Sequence, residues 1–301
     1  MLWEKAGIIF RPDTELWWSK SHAMIPTPYQ LNESLYRVYY SGRNDMNQSH
    51  IGWFELEMDN PQKILAVSKE PVLEPGRLGC FDDNGVTPSC AIKLNNGKMA
   101  LYYIGWNPGS TVRMHLFGGL ALSDNNGLSF YRHSEAPILE RNPTDPFLNT
   151  APWVVKTEGG YRMYYVSGSE WLHKDLPRYN IKTAFSVDGT NWDRKGEVAV
   201  DFKDQSENAL ARPFVLKEDH IWKMWFSYKS NNYRIGYAES IDGISWNRID
   251  GNMGLRETPK GFDSQMVEYS SIVRYQEHYF MFYNGNNYGQ DGIGLAKMKI
   301  V

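Results

Sequence analysis

Three acidic positions stand in comparable places along this chain: Asp83 with Asp82 beside it, Glu207, and Glu268. Each lies shortly before a segment that reads as a buried strand: Pro88-Ser89-Cys90-Ala91-Ile92, Pro213-Phe214-Val215-Leu216 and Ser270-Ser271-Ile272-Val273. Carboxyl groups gathered from distant parts of a chain are the equipment for cleaving a glycosidic bond. That reaction needs two of them flanking the bond, with one held protonated. A carboxyl crowded by another in a poorly solvated site has its pKa raised, as a general acid requires. The same residues have plainer uses. Asp82 and Asp83 serve equally as caps of the turn before Gly85, and Glu207 as a solvated rim residue or a partner of Arg212. Glu268 sits two residues before its strand, which favours an inward aim.

The elements that would gather them form a repeat. Five short segments share one pattern: His50–Phe54, Gly118–Leu122, Ile181–Phe185, Arg234–Ala238 and Gly292–Ala296. Counted from Gly52, Gly119, Lys182, Gly236 and Gly294, the intervals are 67, 63, 54 and 58 residues. A period near 60 across 301 residues means five copies of one supersecondary unit. Each copy opens on a strand near Pro26, Pro88, Pro152 or Pro213, the fifth having Ser270 instead. A polar turn and an aromatic strand follow: Tyr36–Tyr40, Met99–Tyr103, Tyr161–Tyr165, Trp222–Phe226 and Tyr279–Tyr283. Aromatic and β-branched residues suit a pleated, half-buried surface. The segment of the shared pattern is the third strand. A tight turn leads to a fourth, and Asp188-Gly189 and Asp242-Gly243 supply its positive φ.

Four antiparallel strands in five repeats, without helical periodicity, predict an all-β fold: a five-bladed β-propeller forming a single domain over residues 1–301. The fifth repeat stops after its third strand. The segment from about Trp3 to Phe10 matches the pattern of Trp192–Val200, so it is expected to complete the last blade and close the ring, hiding an open sheet edge.

In such a ring the start of the first strand and the end of the second lie at one end of the blade. Beyond the three carboxylates, this rim would present His22, Arg43, Asp82, Trp106, Trp171, Arg212, Lys229, Asp263, Tyr269 and Asn286 as substrate-binding residues. Carboxylates and amides bond sugar hydroxyls, and aromatic rings stack on the apolar side of a sugar ring. Competing structural roles stand beside these: a loop turn for Asp263, packing for His22, Trp106 and Trp171, an inter-blade ion pair for Arg212. Asp124, Asp188 and Asp242 recur at the turns and read as turn structure.

A five-bladed ring with Ser-x-Asp-Gly-x-x-Trp turns, at Ser186–Trp192 and Ser240–Trp246, and acidic residues at the channel mouth resembles the arabinanase/levansucrase/invertase superfamily of glycoside hydrolases. The resemblance implies three carboxylates on inner strands: a base or nucleophile, a pKa-modulating Asp and a Glu general acid. Blade one offers His22 where that family carries its first Asp, which marks a divergent member. A glycoside hydrolase-like enzyme acting on a glycan or activated sugar is the leading expectation. A non-catalytic carbohydrate-binding or glycan-assembly protein is the second. A glycoside phosphorylase or glycosyl-transfer enzyme is the third; it would need a phosphate site, for which Arg43, Arg212, Lys229 and Arg274 are available.

Other classes find little support. The net charge is −3 with no basic run, which argues against nucleic acid. No apolar stretch approaches the roughly 18 residues of a membrane span. The seven histidines show no metal-ligand spacing, and Cys80 and Cys90 make no disulfide framework. No cofactor and no metal are expected. The lack of a recognisable signal segment leads to the expectation of a cytoplasmic protein. Oligomeric state has no signature.

Overall fold

The computed structural model describes residues 3–300. Regular structure is almost entirely strand; among the described residues helix is confined to two single turns, Asp250–Met253 and Asn286–Gly289. None is long and apolar enough to cross a membrane.

After β1 (Glu4–Phe10), β2 (Ser21–Gln30), β3 (Leu35–Arg43), β4 (Ser49–Glu57) and β5 (Ile64–Val67) pair antiparallel in chain order. The same order recurs in β6 (Gly85–Lys93), β7 (Met99–Pro108), β8 (Met114–Ser123) and β9 (Tyr131–Arg132). It recurs again in β10 (Asn149–Thr157), β11 (Gly160–His173), β12 (Leu176–Ser186) and β13 (Val198–Val200). A further group holds β14 (Ala209–Glu218), β15 (Ile221–Lys229), β16 (Tyr233–Ser240) and β17 (Asn247–Arg248). Finally β18 (Glu268–Tyr275), β19 (His278–Asn284) and β20 (Ile293–Lys299) pair in order, and β1 lies antiparallel on β20. The first strands of the groups touch one another in turn: β2 with β6, β6 with β10, β10 with β14, β14 with β18, and β18 with β2.

The aromatic second strands carry the core. Consecutive residues on a strand face opposite sides, yet Tyr39 and Tyr40, Tyr102 and Tyr103, Tyr164 and Tyr165, Trp225 and Phe226 are all fully buried. Both faces of each second strand are therefore covered by neighbouring groups. The tight turns lock these contacts. The hydroxyls of Tyr39, Tyr102 and Tyr164 donate to the carbonyls of Gly127, Gly189 and Gly243 in the next group, at 2.9, 2.6 and 2.7 Å. Those glycines have φ near +78°, +80° and +72°, and a Cβ at Gly127 would stand 2.0 Å from the Tyr39 hydroxyl. Asp188 and Asp242 accept two backbone N–H groups each inside the turns.

A second device recurs in the loops that lead into the groups. Tyr103, Tyr165 and Tyr283 donate at 2.9 Å to Asp82, Asp145 and Asp263 respectively. A cation on or beside the fourth strand closes each arrangement: Arg132 on β9 with Asp82 at 2.8 Å, Arg194 ahead of β13 with Asp145 at 3.5 Å, and Lys5 on β1 with Asp263 at 2.6 Å. Arg248 on β17 grips both oxygens of Glu207, each at 2.7 Å. Burial opposes ionisation of Asp145 and Asp263, but the bonds from Lys182 and Lys5 outweigh it and hold both carboxyls below their usual range.

Candidate active site

A pocket of about 320 Å³ opens at the end of the molecule where the first strands begin and the second strands end. Two hairpins wall it. β7–β8 and β11–β12 extend past their counterparts, and their tips carry Arg113 and Asp175. The Arg113 N–H donates to Lys174 O at 2.9 Å, joining the tips. Arg43 closes β3, Trp106 lies near the end of β7, and Lys229 closes β15; all three line the pocket. Much of the remaining wall is aromatic: Tyr179, Tyr233, Tyr269 and Tyr288. The hydroxyls of Tyr179 and Tyr233 lie 2.5 Å apart, and the Lys229 ammonium sits 5.2 Å from the centre of the Tyr233 ring.

The first strands present these groups through a shared distortion. Ile25, Ala151, Arg212 and Tyr269 all have positive φ, 52°, 48°, 48° and 56°, and each stands directly before Pro26, Pro152, Pro213 or Ser270. The pairing register slips at the same places, between Met24 and Thr27, Thr150 and Trp153, Ala211 and Phe214, Glu268 and Ser271. Such a bulge bends the strand and re-aims a side chain. A non-glycine residue held at positive φ costs about 1–3 kcal/mol and persists only where the surroundings enforce it, often at functional sites. Here the bulge turns Ile25 and Tyr269 toward the pocket.

Directly behind the aromatic wall is Glu268. It is fully buried, and neither carboxyl oxygen has a hydrogen-bond partner of full geometry. Burial pushes its pKa well above the usual carboxylate range; Lys229, Tyr269 and the Tyr288 backbone pull weakly the other way. Burial therefore favours the protonated form of Glu268. Burial also lowers the pKa of Lys229, with Glu268 opposing, and that of Arg43, with Tyr269 and Tyr288 opposing. The pocket thus gathers three cations, Arg43, Arg113 and Lys229, against one lining carboxylate, Asp175. Positive charge predominates in it, beside an aromatic surface.

Arg43, Trp106, Lys229 and Tyr269 are brought together here, with Glu268 behind them. His22 lies near Arg43, and burial followed by that charge lowers its pKa to about 4, so its imidazole is neutral; its Nδ1 lies 2.9 Å from Ser21 Oγ. The remaining expected residues do not line the pocket. Asp83 accepts the Gly79 N–H at 2.9 Å within its loop. Asp82, Glu207 and Asp263 are held by Arg132, Arg248 and Lys5. Asn286 accepts the N–H groups of Gln265 and Met266. Trp171 packs on Leu148, Ala151 and Val166. Arg212 is buried where the first strands meet, and Arg274 pairs with Glu218. Arg113, Asp175, Tyr179, Tyr233 and Tyr288 were not among the expected residues; the long interval between second and third strands in the second and third repeats is the signal for the first two. Among the described residues no group of three or more His, Cys, Asp or Glu side chains is arranged to hold a metal ion.

No family model matches the chain. An uncharacterized protein of Mycobacterium tuberculosis, Rv1502, is 36% identical over 301 residues, covering 99% of this chain and 100% of that protein. A 1,2-β-oligomannan phosphorylase from a Thermoanaerobacter species is 27% identical over 107 residues, 34% of this chain and 35% of that protein. Among solved structures, one described under GH130 mannoside phosphorylases and β-1,2-mannoside hydrolases superposes with a TM-score of 0.76 at 14% identity, covering 99% of this chain and 93% of that one. A structure from Bacteroides thetaiotaomicron gives 0.75 at 15% identity, covering 99% and 96%. A structure described as a BT0996 complex with an RGII chain gives 0.74 at 20% identity, covering 98% and 91%. These likenesses establish the fold as that of the propeller-type glycosidases.

Proposed function

We propose, for a chain that belongs to the same family as the Mycobacterium tuberculosis protein Rv1502, a glycosidase-like enzyme that transfers a glycosyl group to or from phosphate. The five four-stranded groups are read as the blades of one propeller domain. β1 is the fourth strand of the last blade; Lys5 on it plays toward Asp263 the part that Arg132 and Arg248 play in other blades. The pocket lies over the mouth of the central channel.

The observation that carries the reading is the charge pattern of the pocket: Arg43, Arg113 and Lys229 line it, and behind its wall lies one carboxyl, Glu268, whose pKa burial raises. Hydrolysis uses two working carboxyl groups. Asp83 and Glu207, the other two candidates, are engaged in a loop and in an ion pair. Phosphate needs only one acid, because it is itself the nucleophile. A phosphate oxygen attacks the anomeric carbon, the glycosidic C–O bond breaks, and the leaving oxygen takes a proton. The three cations hold the phosphate and spread its charge as the bond forms. Glu268 is the proton source, its proton relayed through the neighbouring Tyr269, which lines the pocket, and it is reprotonated from solvent after release. Tyr179, Tyr233, Tyr288 and Trp106 provide the surface for the sugar. The similarity to a phosphorylase over a third of the chain agrees with this choice.

The test is ³¹P NMR of the protein with a panel of oligosaccharides, β-1,2-mannosides among them, with and without inorganic phosphate. A glycosyl phosphate should form only when phosphate is present. Arg43→Met and Lys229→Met should raise the KM for phosphate, and Glu268→Gln should lower kcat by about two orders of magnitude. Free sugar released without phosphate would identify a hydrolase instead. Saturable sugar binding without turnover would identify a binding protein, the reading favoured by the depth of Glu268.

A further inference from the structure

The two long hairpins differ from the rest of the pocket rim in chemistry as well as in length. The second strand of the first group ends at Arg43 opposite Ser49, and that of the fourth at Lys229 opposite Tyr233. β7–β8 runs on to Pro108 opposite Met114, and β11–β12 to His173 opposite Leu176. Residues two apart on a strand share a face, and so do residues directly opposite on its partner. Ile104 and Trp106 on β7 therefore share one face with Leu116, which pairs with Trp106, and with Met114. All four line the pocket, as do Leu176 and Pro177 of β12. The reverse face of β7–β8 carries Asn107 and His115, where the Arg141 guanidinium lies 3.2 Å from His115 Nδ1.

Packing explains part of this apolar face. Ile104 and Leu116 also touch the cluster of Leu148, Ala151 and Val166. Trp106, Met114 and Leu176 are half-buried yet join none of the hydrophobic clusters of the described residues. Among the six side chains the Trp106 indole N–H is the only strong hydrogen-bonding group. A sugar carries hydroxyls around most of its ring, and hydroxyls pressed on such a wall lose water without gaining partners. An alkyl group placed there gains instead. The charges lie elsewhere: those of Arg43 and Arg113 both act on Tyr288, and that of Arg113 on Lys229, so the cations gather around these two residues. One cavity thus joins a cationic part to an aliphatic one.

We propose that the glycoside consumed in this pocket carries an alkyl aglycone, which lies on Met114, Leu116 and Leu176 between the two long hairpins. The inference rests on the reading of the pocket as a site of glycosyl transfer to phosphate. Phosphate takes the glycosyl group, the electron pair of the broken C–O bond stays on the aglycone oxygen, and that oxygen takes the proton. The product released from the apolar wall is therefore an aliphatic alcohol and not a second sugar. Met114 and Leu116 stand about 7 Å apart along β8, the length of a chain of about six carbons.

The experiment follows the methyl resonances of the protein labelled with ¹³C-methyl methionine during titration with n-hexanol, the alcohol such a glycoside would release. Met114→Leu identifies the Met114 signal by its loss. In the wild type that signal should move saturably with n-hexanol. With n-butanol the midpoint should lie about tenfold higher, because each buried methylene is worth about fourfold in affinity. Diethylene glycol, a polar chain of the same length, should leave the signal in place. Leu176→Ser should raise the n-hexanol midpoint about tenfold, with the ³¹P-detected phosphate midpoint unchanged. Lys229→Met should do the reverse, weakening phosphate and leaving n-hexanol as it was. A Met114 signal that moves equally with diethylene glycol, one that never saturates with n-hexanol, or Leu176→Ser without effect would each overturn the proposal. Binding of n-hexanol at Met114 in a protein that does not bind inorganic phosphate would sustain the alkyl subsite and overturn transfer to phosphate, so the two readings fail separately.

Discussion

Glu207→Gln separates an architectural carboxylate from a working one. Glu207 is 4% exposed, and Arg248 binds both its oxygens at 2.7 Å; the Lys203 N–H adds a bond at 2.9 Å. Removing one partner of a buried pair costs about 3–5 kcal/mol, mostly because the other charge is left unpaired. Two features reduce that here. Arg248 keeps Asp250, which its Nε reaches at 2.9 Å, and glutamine preserves the shape and one acceptor. The expected loss is therefore about 2–3 kcal/mol. With unfolding entropy of roughly 2.1 cal/mol/K per residue, 301 residues give about 0.6 kcal/mol/K, so Tm should fall by about 3–5 °C. Calorimetry reads the first quantity, and phosphate-dependent turnover well below Tm reads the second; kcat should stay within about twofold. An unchanged Tm with turnover reduced by two orders of magnitude, the scale of lost acid–base catalysis, would refute this reasoning and place Glu207 in the chemistry.

Two further substitutions have opposite pH signatures. The folded pKa of Glu268 is raised, so between the unfolded carboxyl value, about 4.3, and that raised value the folded state binds the extra proton and stability falls as pH rises. Denaturant midpoints of wild type relative to Glu268→Gln should decline from pH 4 to pH 8; a flat difference would show an ionised or hydrated Glu268. His22 is lowered from 6.5 to about 4, so the unfolded state binds the extra proton there, and stability falls as pH drops through that window. His22→Asn should lose that acid sensitivity, and an unchanged slope would show that the imidazole titrates normally. Phe10 stacks on Phe54 at 4.2 Å from the strand that lies on β20, so Phe10→Ala should cost about 3–5 kcal/mol, and deleting residues 1–10 should give an aggregating chain. A deletion protein with wild-type Tm would contradict that. Asp188→Asn weakens a turn in which one oxygen accepts from Thr190 and Asn191; it should lower Tm and leave kcat unchanged, and lost turnover at native Tm would put the working face at the other end.

What could be read from the chain and what could not divides along the symmetry of the repeat. The strands were legible because aromatic runs, Pro landmarks and Asp-Gly turns depend on local chemistry. The positions before the first strands were legible as well, but not their meaning. Asp82, Asp145, Glu207 and Asp263 recur because four of the five repeats place an acid there; their partners Arg132, Arg194, Arg248 and Lys5 come from or lie beside the fourth strands, and no local pattern shows that pairing. Recurrence is itself the clue. A feature needed to hold every group together must appear in every group, whereas a single chemical step needs its group once. Glu268 satisfies the second condition. Its counterparts one step before the bulge are Met24, Thr150 and Ala211, none of which titrates. Arg212 satisfies it too, standing where Ile25, Ala151 and Tyr269 stand in their strands. Arg113 breaks the repeat in length instead, on a hairpin longer than the β15–β16 hairpin of the fourth group. In a molecule built by repetition, the residues that violate the repeat while remaining buried or aimed into the pocket are the ones to which function belongs.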